Sequence, residues 1–203
     1  TGHMILASEL LKLSSNEFVK TFEISIQIGA ILAIVCLYAR QFLKSTLIYK
    51  KLAVAFLPTA IIGLLLYKTI KTYLFSPTVV TIALILGGIV LLLLNKKIIS
   101  APSKYQELEK IPYRQAFFIG LFQSFAVIPG VSRAAATIIG GVFNGYDKKQ
   151  ATEFSFLLAV PTMCAATGYD LLKTSAGISS NEFGLLLFGG LISFVFAWLA
   201  VKI

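Results

Sequence analysis

The residues best suited to chemistry lie in one short run, Pro129-Gly130-Val131-Ser132-Arg133-Ala134-Ala135-Ala136-Thr137. Gly130 permits a tight backbone approach, and a helix starting near Ser132 points its unpaired N–H groups back at the break. Arg133 adds a permanent cation whose planar fork suits phosphate oxygens. Ser132 and Thr137 add hydroxyl donors. Helix N-terminus, guanidinium and hydroxyls together make an anion site, and phosphate is the anion they fit best. An Arg at membrane depth costs ~2.5–3.5 kcal/mol even on a forgiving insertion scale, which argues for a functional reason. The bland alternative is a salt bridge from Arg133 to Glu153 inside a bundle, with Ser132 as an ordinary helix cap. The two readings are compatible.

His3 is the only histidine. Beside the same anion it is suited to act as acid or base, since histidine exchanges protons near neutral pH. Gly-His-Met near a chain start is also a common scar of expression constructs, and pattern alone favours that reading. Glu23 and Glu153 each follow a Lys at a helix start, and each alone reads as an interfacial carboxylate. Gln27 lies one turn beyond Glu23 on the same face, so a polar stripe enters the apolar region there. Gln123 and Ser124 either face that stripe or bond across helices. Asp170 and Glu182 flank an outer loop and read as solvated. Cys36 and Cys164 have no metal-ligand spacing and read as small core hydrophobes.

The elements that must hold these residues follow from composition. Of 203 residues 57% are hydrophobic and 13% charged, with a mean hydropathy of +0.85. A soluble domain carries about 25% charged residues. A soluble globular protein, a disordered chain and a secreted disulfide scaffold are all excluded. The chain reads as an all-α integral membrane protein. Its net charge of +9 sits in short clusters between apolar stretches, so topology and anionic lipid explain it, not nucleic acid.

A spanning helix needs about 20 mainly apolar residues. Stretches 21–39, 77–95 and 183–201 meet that, 52–67 spans with a kink at Pro58, and 151–169 spans with Pro161 at mid-depth. Stretch 115–145 does not: neither half can cross alone, and a Pro-Gly break followed by Arg makes a poor continuous helix. A re-entrant hairpin of two half-helices fits. Arg40, Lys44, Lys50 and Lys51, then Lys96, Lys97, Lys104, Lys110 and Arg114, then Lys148 and Lys149 all fall on one side if the hairpin enters and leaves there. The positive-inside rule makes that side cytoplasmic.

At an offset of 130, Glu23-Ile24-Ser25-Ile26 aligns with Glu153-Phe154-Ser155-Phe156, and His3 with Arg133. One span separates the copies, so the second is inverted relative to the first, a known way to build a site at mid-membrane. The fold expected is a polytopic helical bundle with inverted repeats and re-entrant hairpins in a single transmembrane domain, 1–203. It comprises a partial first repeat over 1–76, a linking span over 77–95, and a second repeat over 115–203 containing the hairpin 115–145.

The run YRQAFFIGLFQSFAVIPGVSRAAATIIGG, followed by EFSFLLAVP from Glu153 to Pro161, resembles the bacterial undecaprenyl pyrophosphate phosphatases of the bacitracin-resistance type. The resemblance covers essentially the whole chain. It makes His3 native, because the family carries a Pro-x-Ser-Ser-Thr-Gly-His segment that Thr1-Gly2-His3 continues. It implies hydrolysis of undecaprenyl diphosphate to undecaprenyl phosphate and inorganic phosphate, which recycles the lipid carrier for cell-wall synthesis. A divalent metal, magnesium or calcium, with unknown ligands is implied too. So is a place in the bacterial cytoplasmic membrane, with the active site open to the outer face. By position, Arg133 matches the family's essential arginine, Ser132 the serine before it, Thr137 the threonine closing the motif, His3 the motif histidine and Thr1 its neighbouring threonine. Arg133, Ser132 and His3 are the expected catalytic residues, and Thr1, Thr137 and, by its backbone freedom, Gly130 the expected substrate-binding ones. Glu23, Gln27 and Glu153 stand as polar support.

Two departures from the family pattern stand out. Its paired glutamates and the serines before Thr1 are absent, and Ala134-Ala135 replaces a frequent Ser-Gly. The first implies that this chain, shortened at both ends relative to the family, does not turn over substrate by itself. The rival reading is a polyprenyl-phosphate flippase, since inverted repeats and broken helices also build transporters.

Overall fold

The structure is a computed structural model, and it describes residues 2–13, 17–39, 46–174 and 179–202. The helices are α1 (Gly2–Leu10), α2 (Glu17–Ser25), α3 (Gln27–Leu37), α4 (Thr46–Thr69), α5 (Pro77–Ile99), α6 (Tyr113–Ser124), α7 (Arg133–Phe143), α8 (Lys148–Thr174) and α9 (Ser180–Lys202). A π-helical turn, Ile70–Leu74, extends α4. The described residues contain no strand, and the protein is all-α.

Five helical stretches are long and apolar enough to cross a bilayer: Phe18–Leu37, Thr46–Leu74, Pro77–Ile99, Lys148–Lys173 and Ser180–Lys202. They coincide with the five expected spans. The second is longer than the sequence indicates, because Pro58 is absorbed inside a continuous helix and the π turn adds to its end. The first is interrupted at Ile26, which separates α2 from α3. On α5 and α9 the apolar side chains face outward: Leu92 is 79% and Phe196 69% exposed. Only hydrocarbon solvates such a surface without cost, so these faces lie against lipid. Cys36 and Cys164 are exposed as well, which corrects their reading as core residues.

Local signals set the helix ends. Ser76 caps α5 by accepting from the Val79 N–H at 3.3 Å, Pro77 supplies a first residue that needs no donor, and Lys96 and Lys97 complement its C-terminal dipole. Asp147 and Gln150 cap α8 reciprocally: the Gln150 N–H donates to Asp147 Oδ1 at 2.8 Å, and the Asp147 N–H to Gln150 Oε1 at 3.4 Å.

Helices α6 and α7 have 12 and 11 residues, roughly 18 Å at most, too short to cross. They fold back on each other, with Phe122 stacked on Phe143 at 6.1 Å and packed against Gly140. The two short helices and the break between them cover 113–143, close to the expected 115–145. The main core surrounds them, with Ile48, Leu52 and Ala55 of α4, Ile119 of α6, Tyr146, and Phe154, Leu157 and Leu158 of α8. Small residues let backbones meet: a Cβ on Gly120 would sit 2.0 Å from the Ala55 carbonyl oxygen, and one on Gly29 would sit 1.9 Å from that of Gly190. Helix α4 packs on α6 and α8, while α9 packs on α2 and α3, so each half of the chain sends its last helix to the other.

Candidate active site

The hairpin tip is shaped by Gly130. Its φ of +97° is in the left-handed region, and a Cβ there would sit 2.7 Å from the Val80 carbonyl oxygen. No other residue type fits both demands. Two residues later Ser132 opens α7, its Oγ accepting from the Ala135 N–H at 3.2 Å. The Ala136 N–H goes to the Ser132 carbonyl, and among the described residues the amides of Arg133 and Ala134 have no partner at the helix start. Ser132 is thus a cap, and its hydroxyl proton remains free to donate outward.

Helix α1 brings the second element. A Cβ on Gly2 would lie 2.9 Å from the Gly130 Cα, so the start of α1 abuts the tip and carries His3 to it. His3, Gly130, Ser132, Arg133 and Gln27 line one cavity of about 720 Å³. That volume is in the range of sites for drug-sized ligands and exceeds what a phosphate group fills. Its remaining wall is mostly apolar and includes Phe56, Ala60, Gly63, Leu64 and Met163.

Arg133 has no carboxylate within ion-pair distance among the described residues, so the salt bridge to Glu153 does not form. A half-buried guanidinium without a counter-ion gives this end of the cavity a net positive character. Glu153 lies near Tyr38 and does not line the cavity. Glu23 is buried in a separate small pocket with Ser8 and Lys20, where it accepts a short hydrogen bond from the Ser8 hydroxyl. Gln27 alone of the three proposed polar supports reaches the cavity, its Nε2 donating to the Glu23 carbonyl at 2.8 Å.

Thr137 is not brought to the site either. It is 1% exposed, donates to the Arg133 carbonyl at 2.9 Å and lies 2.5 Å from Ser155 Oγ, which joins α7 to α8. Thr1 lies outside the described residues. Gln123 bonds across helices, its Nε2 donating to Thr59 and Thr162 hydroxyls at 3.0 Å each.

Asp170 is the residue the sequence reading misplaced. It is fully buried, lines the cavity, and accepts from Tyr67 Oη at 2.7 Å and Lys71 Nζ at 3.0 Å. Tyr67 and Lys71 lie one turn apart, but nothing in their spacing points to a carboxylate about a hundred residues downstream. As for a divalent metal, the described residues gather no cluster of three His, Cys, Asp or Glu side chains. They do not by themselves supply a ligand set.

The profile of the family described as "Bacitracin resistance protein BacA" matches residues 1–203. Among similar curated proteins, one from Persephonella marina is 51% identical over 203 residues, all of this chain and 80% of its own length. One from Wolinella succinogenes is 50% identical over 202 residues, 78% of its length, and one from Aquifex aeolicus 48% over 206 residues, 79% of its length. All three carry the name undecaprenyl-diphosphatase.

Proposed function

This chain belongs to the bacitracin resistance protein BacA family, and we infer from that membership that it hydrolyses undecaprenyl diphosphate to undecaprenyl phosphate and inorganic phosphate. It is a multi-pass membrane enzyme that returns the lipid carrier to cell-wall synthesis. The observation that carries the residue assignments is the cavity itself, with Arg133, Ser132 and His3 at the hairpin tip and a mostly apolar wall beyond them, which suits a substrate with a phosphorylated head and a hydrocarbon tail.

In this reading Arg133 and the free amides at the start of α7 hold the terminal phosphoryl group and stabilise the charge that develops on it. The Ser132 hydroxyl donates to the same oxygens while its own oxygen caps the helix. His3 moves a proton to or from the attacking or leaving oxygen. Gly130 lets the backbone come close. Gln27 borders the site. The divalent ion implied by the resemblance is kept as a separate proposal, and no step is assigned to it. The cytoplasmic membrane is the proposed location, with the cavity open to the outer face, because the Lys- and Arg-rich loops lie at the opposite helix ends.

The test is phosphate release from farnesyl or undecaprenyl diphosphate by the full-length gene product in detergent. Arg133→Ala is expected to lower turnover by about 10²–10³-fold, the scale of losing one preorganised charge-stabilising group. Near-normal turnover would remove Arg133 from its role. Lipid movement without phosphate release would replace the hydrolase with the flippase.

A further inference from the structure

The mechanism above leaves one buried charged cluster unused. Asp170 and Lys71 form an ion pair at 3.0 Å, with side chains 1% and 13% exposed. Asp170 Oδ1 takes both donors of the cluster, the Tyr67 hydroxyl and the Lys71 ammonium. Asp170 Oδ2 is equally buried and has no donor among the described residues. Lys71 sits on the π-helical turn Ile70–Leu74, a geometry that recurs at functional positions. Tyr67 is fixed edge-on against Tyr169 at 4.8 Å. All four residues line the cavity that holds Arg133.

A half-satisfied buried carboxylate beside a cation is expensive unless something supplies the missing donor. A structural tie between α4 and α8 needs only Oδ1. The unused oxygen asks for a ligand that carries a proton to donate, and the already ion-paired Lys71 ammonium beside it favours one that is also anionic. A fully ionised diphosphate ester offers no such proton. Orthophosphate does, because hydrolysis breaks the anhydride P–O bond, forms a P–O bond to the water oxygen, and leaves the released phosphate with at least one P–OH near neutral pH.

Resting on the phosphatase reading of this cavity, we propose that Lys71, Tyr67 and Asp170 form a second phosphate station that receives protonated orthophosphate, the released product. Lys71 holds the anionic oxygens and Asp170 Oδ2 accepts from the P–OH. The Arg133 end differs in kind: a guanidinium and helix-start amides, all donors, face the phosphate there, and among the described residues no carboxylate lines that end. The two ends divide the cavity into a place where phosphate is cleaved and a place where it is recognised as free.

The experiment is equilibrium binding of radiolabelled inorganic phosphate to the full-length protein in detergent, with competition by sulfate and by monofluorophosphate, tetrahedral dianions of similar size without the proton. Binding is measured in Arg133→Ala protein, so that only this station reports. Orthophosphate is expected to compete at least tenfold better than either analogue, the scale of one hydrogen bond to a charged acceptor. Asp170→Asn is expected to erase that preference, and Lys71→Met to weaken all three anions alike. Equal binding of the three anions in Arg133→Ala overturns the proposal without needing an Asp170 variant that folds. So does an intact preference in Asp170→Asn. Because no turnover is read, a failure of the hydrolase reading shows up separately, in the release assay.

Discussion

The two helices that meet at the reacting end of the cavity are held very differently. Helix α7 is built into the core: Thr137, Ile139, Gly140, Gly141 and Val142 are buried, and Thr137 bonds to Ser155 of α8. Helix α1 buries only Ile5, is tied to α2 by the Ser8–Glu23 bond, and is followed by Leu11 at 70% exposure. One side of the site is therefore positioned by deep packing, and the other by lighter ties: Ile5, the Ser8–Glu23 bond, contact with α5 and the close approach of Gly2 to Gly130. The difference teaches that changes in α7 act on folding and chemistry together, whereas changes in α1 act on chemistry with little effect on folding.

The sharpest test is His3→Ala. His3 is exposed to the cavity and bonds to nothing the core needs, so the unfolding midpoint in micelles is expected to stay put while turnover falls by about 10²–10⁴-fold, the range for a lost general acid or base. A parallel loss of folded protein would break the contrast. Next come the two glycines. Gly130→Ala forces a Cβ onto the Val80 carbonyl at φ +97°, and is expected to lose about 1–3 kcal/mol of stability together with most activity. Gly2→Ala pushes only α1 off the tip, and is expected to cut turnover tenfold or more with the midpoint unchanged, as a small misplacement of a catalytic group does. The contrast collapses if the two variants behave alike in both assays.

Thr137→Val inverts that pattern. Removing a buried hydroxyl that bonds to Ser155 is expected to lower stability by roughly 1–2 kcal/mol, read by denaturant titration, with kcat unchanged. A fall in kcat comparable to that of His3→Ala would return Thr137 to the substrate.

The spans and the helix break at 125–132 were legible because both rest on local signals: twenty apolar residues in a row, and a Pro-Gly pair beside an Arg. Thr137 was misjudged although i, i+4 spacing puts it on the same face as Arg133. The long Arg side chain at the first turn reaches the cavity, while the short Thr stays at the α7–α8 interface. Asp170 was illegible for another reason, since Tyr67 is 103 residues upstream and only tertiary packing pairs them. Glu23 and Glu153 match in sequence, yet one meets Ser8 and the other lies near Tyr38, because the elements packed against them differ. The two cysteines show a limit of composition itself: lipid and core are equally apolar, so hydropathy does not tell which one a residue faces.

The smallest expected effect separates the two duties of Ser132. Its oxygen caps α7 and its proton is free for the phosphoryl group. Ser132→Ala removes both, and is expected to cost about 1 kcal/mol of stability and to raise KM severalfold. Ser132→Asn restores an acceptor for the Ala135 N–H, so stability should return, because Asn caps about as well as Ser. The amide of Asn can still donate, but from a longer, planar group. Turnover in Ser132→Asn should therefore lie between wild type and Ser132→Ala, with the gap from wild type within about fivefold. Full recovery of KM along with stability would mean that the cap alone matters and that the donors facing the phosphate are Arg133 and the two free amides. The asymmetry between α7 and α1 would then be complete, with one helix supplying a rigid anion cradle and the other supplying only a proton.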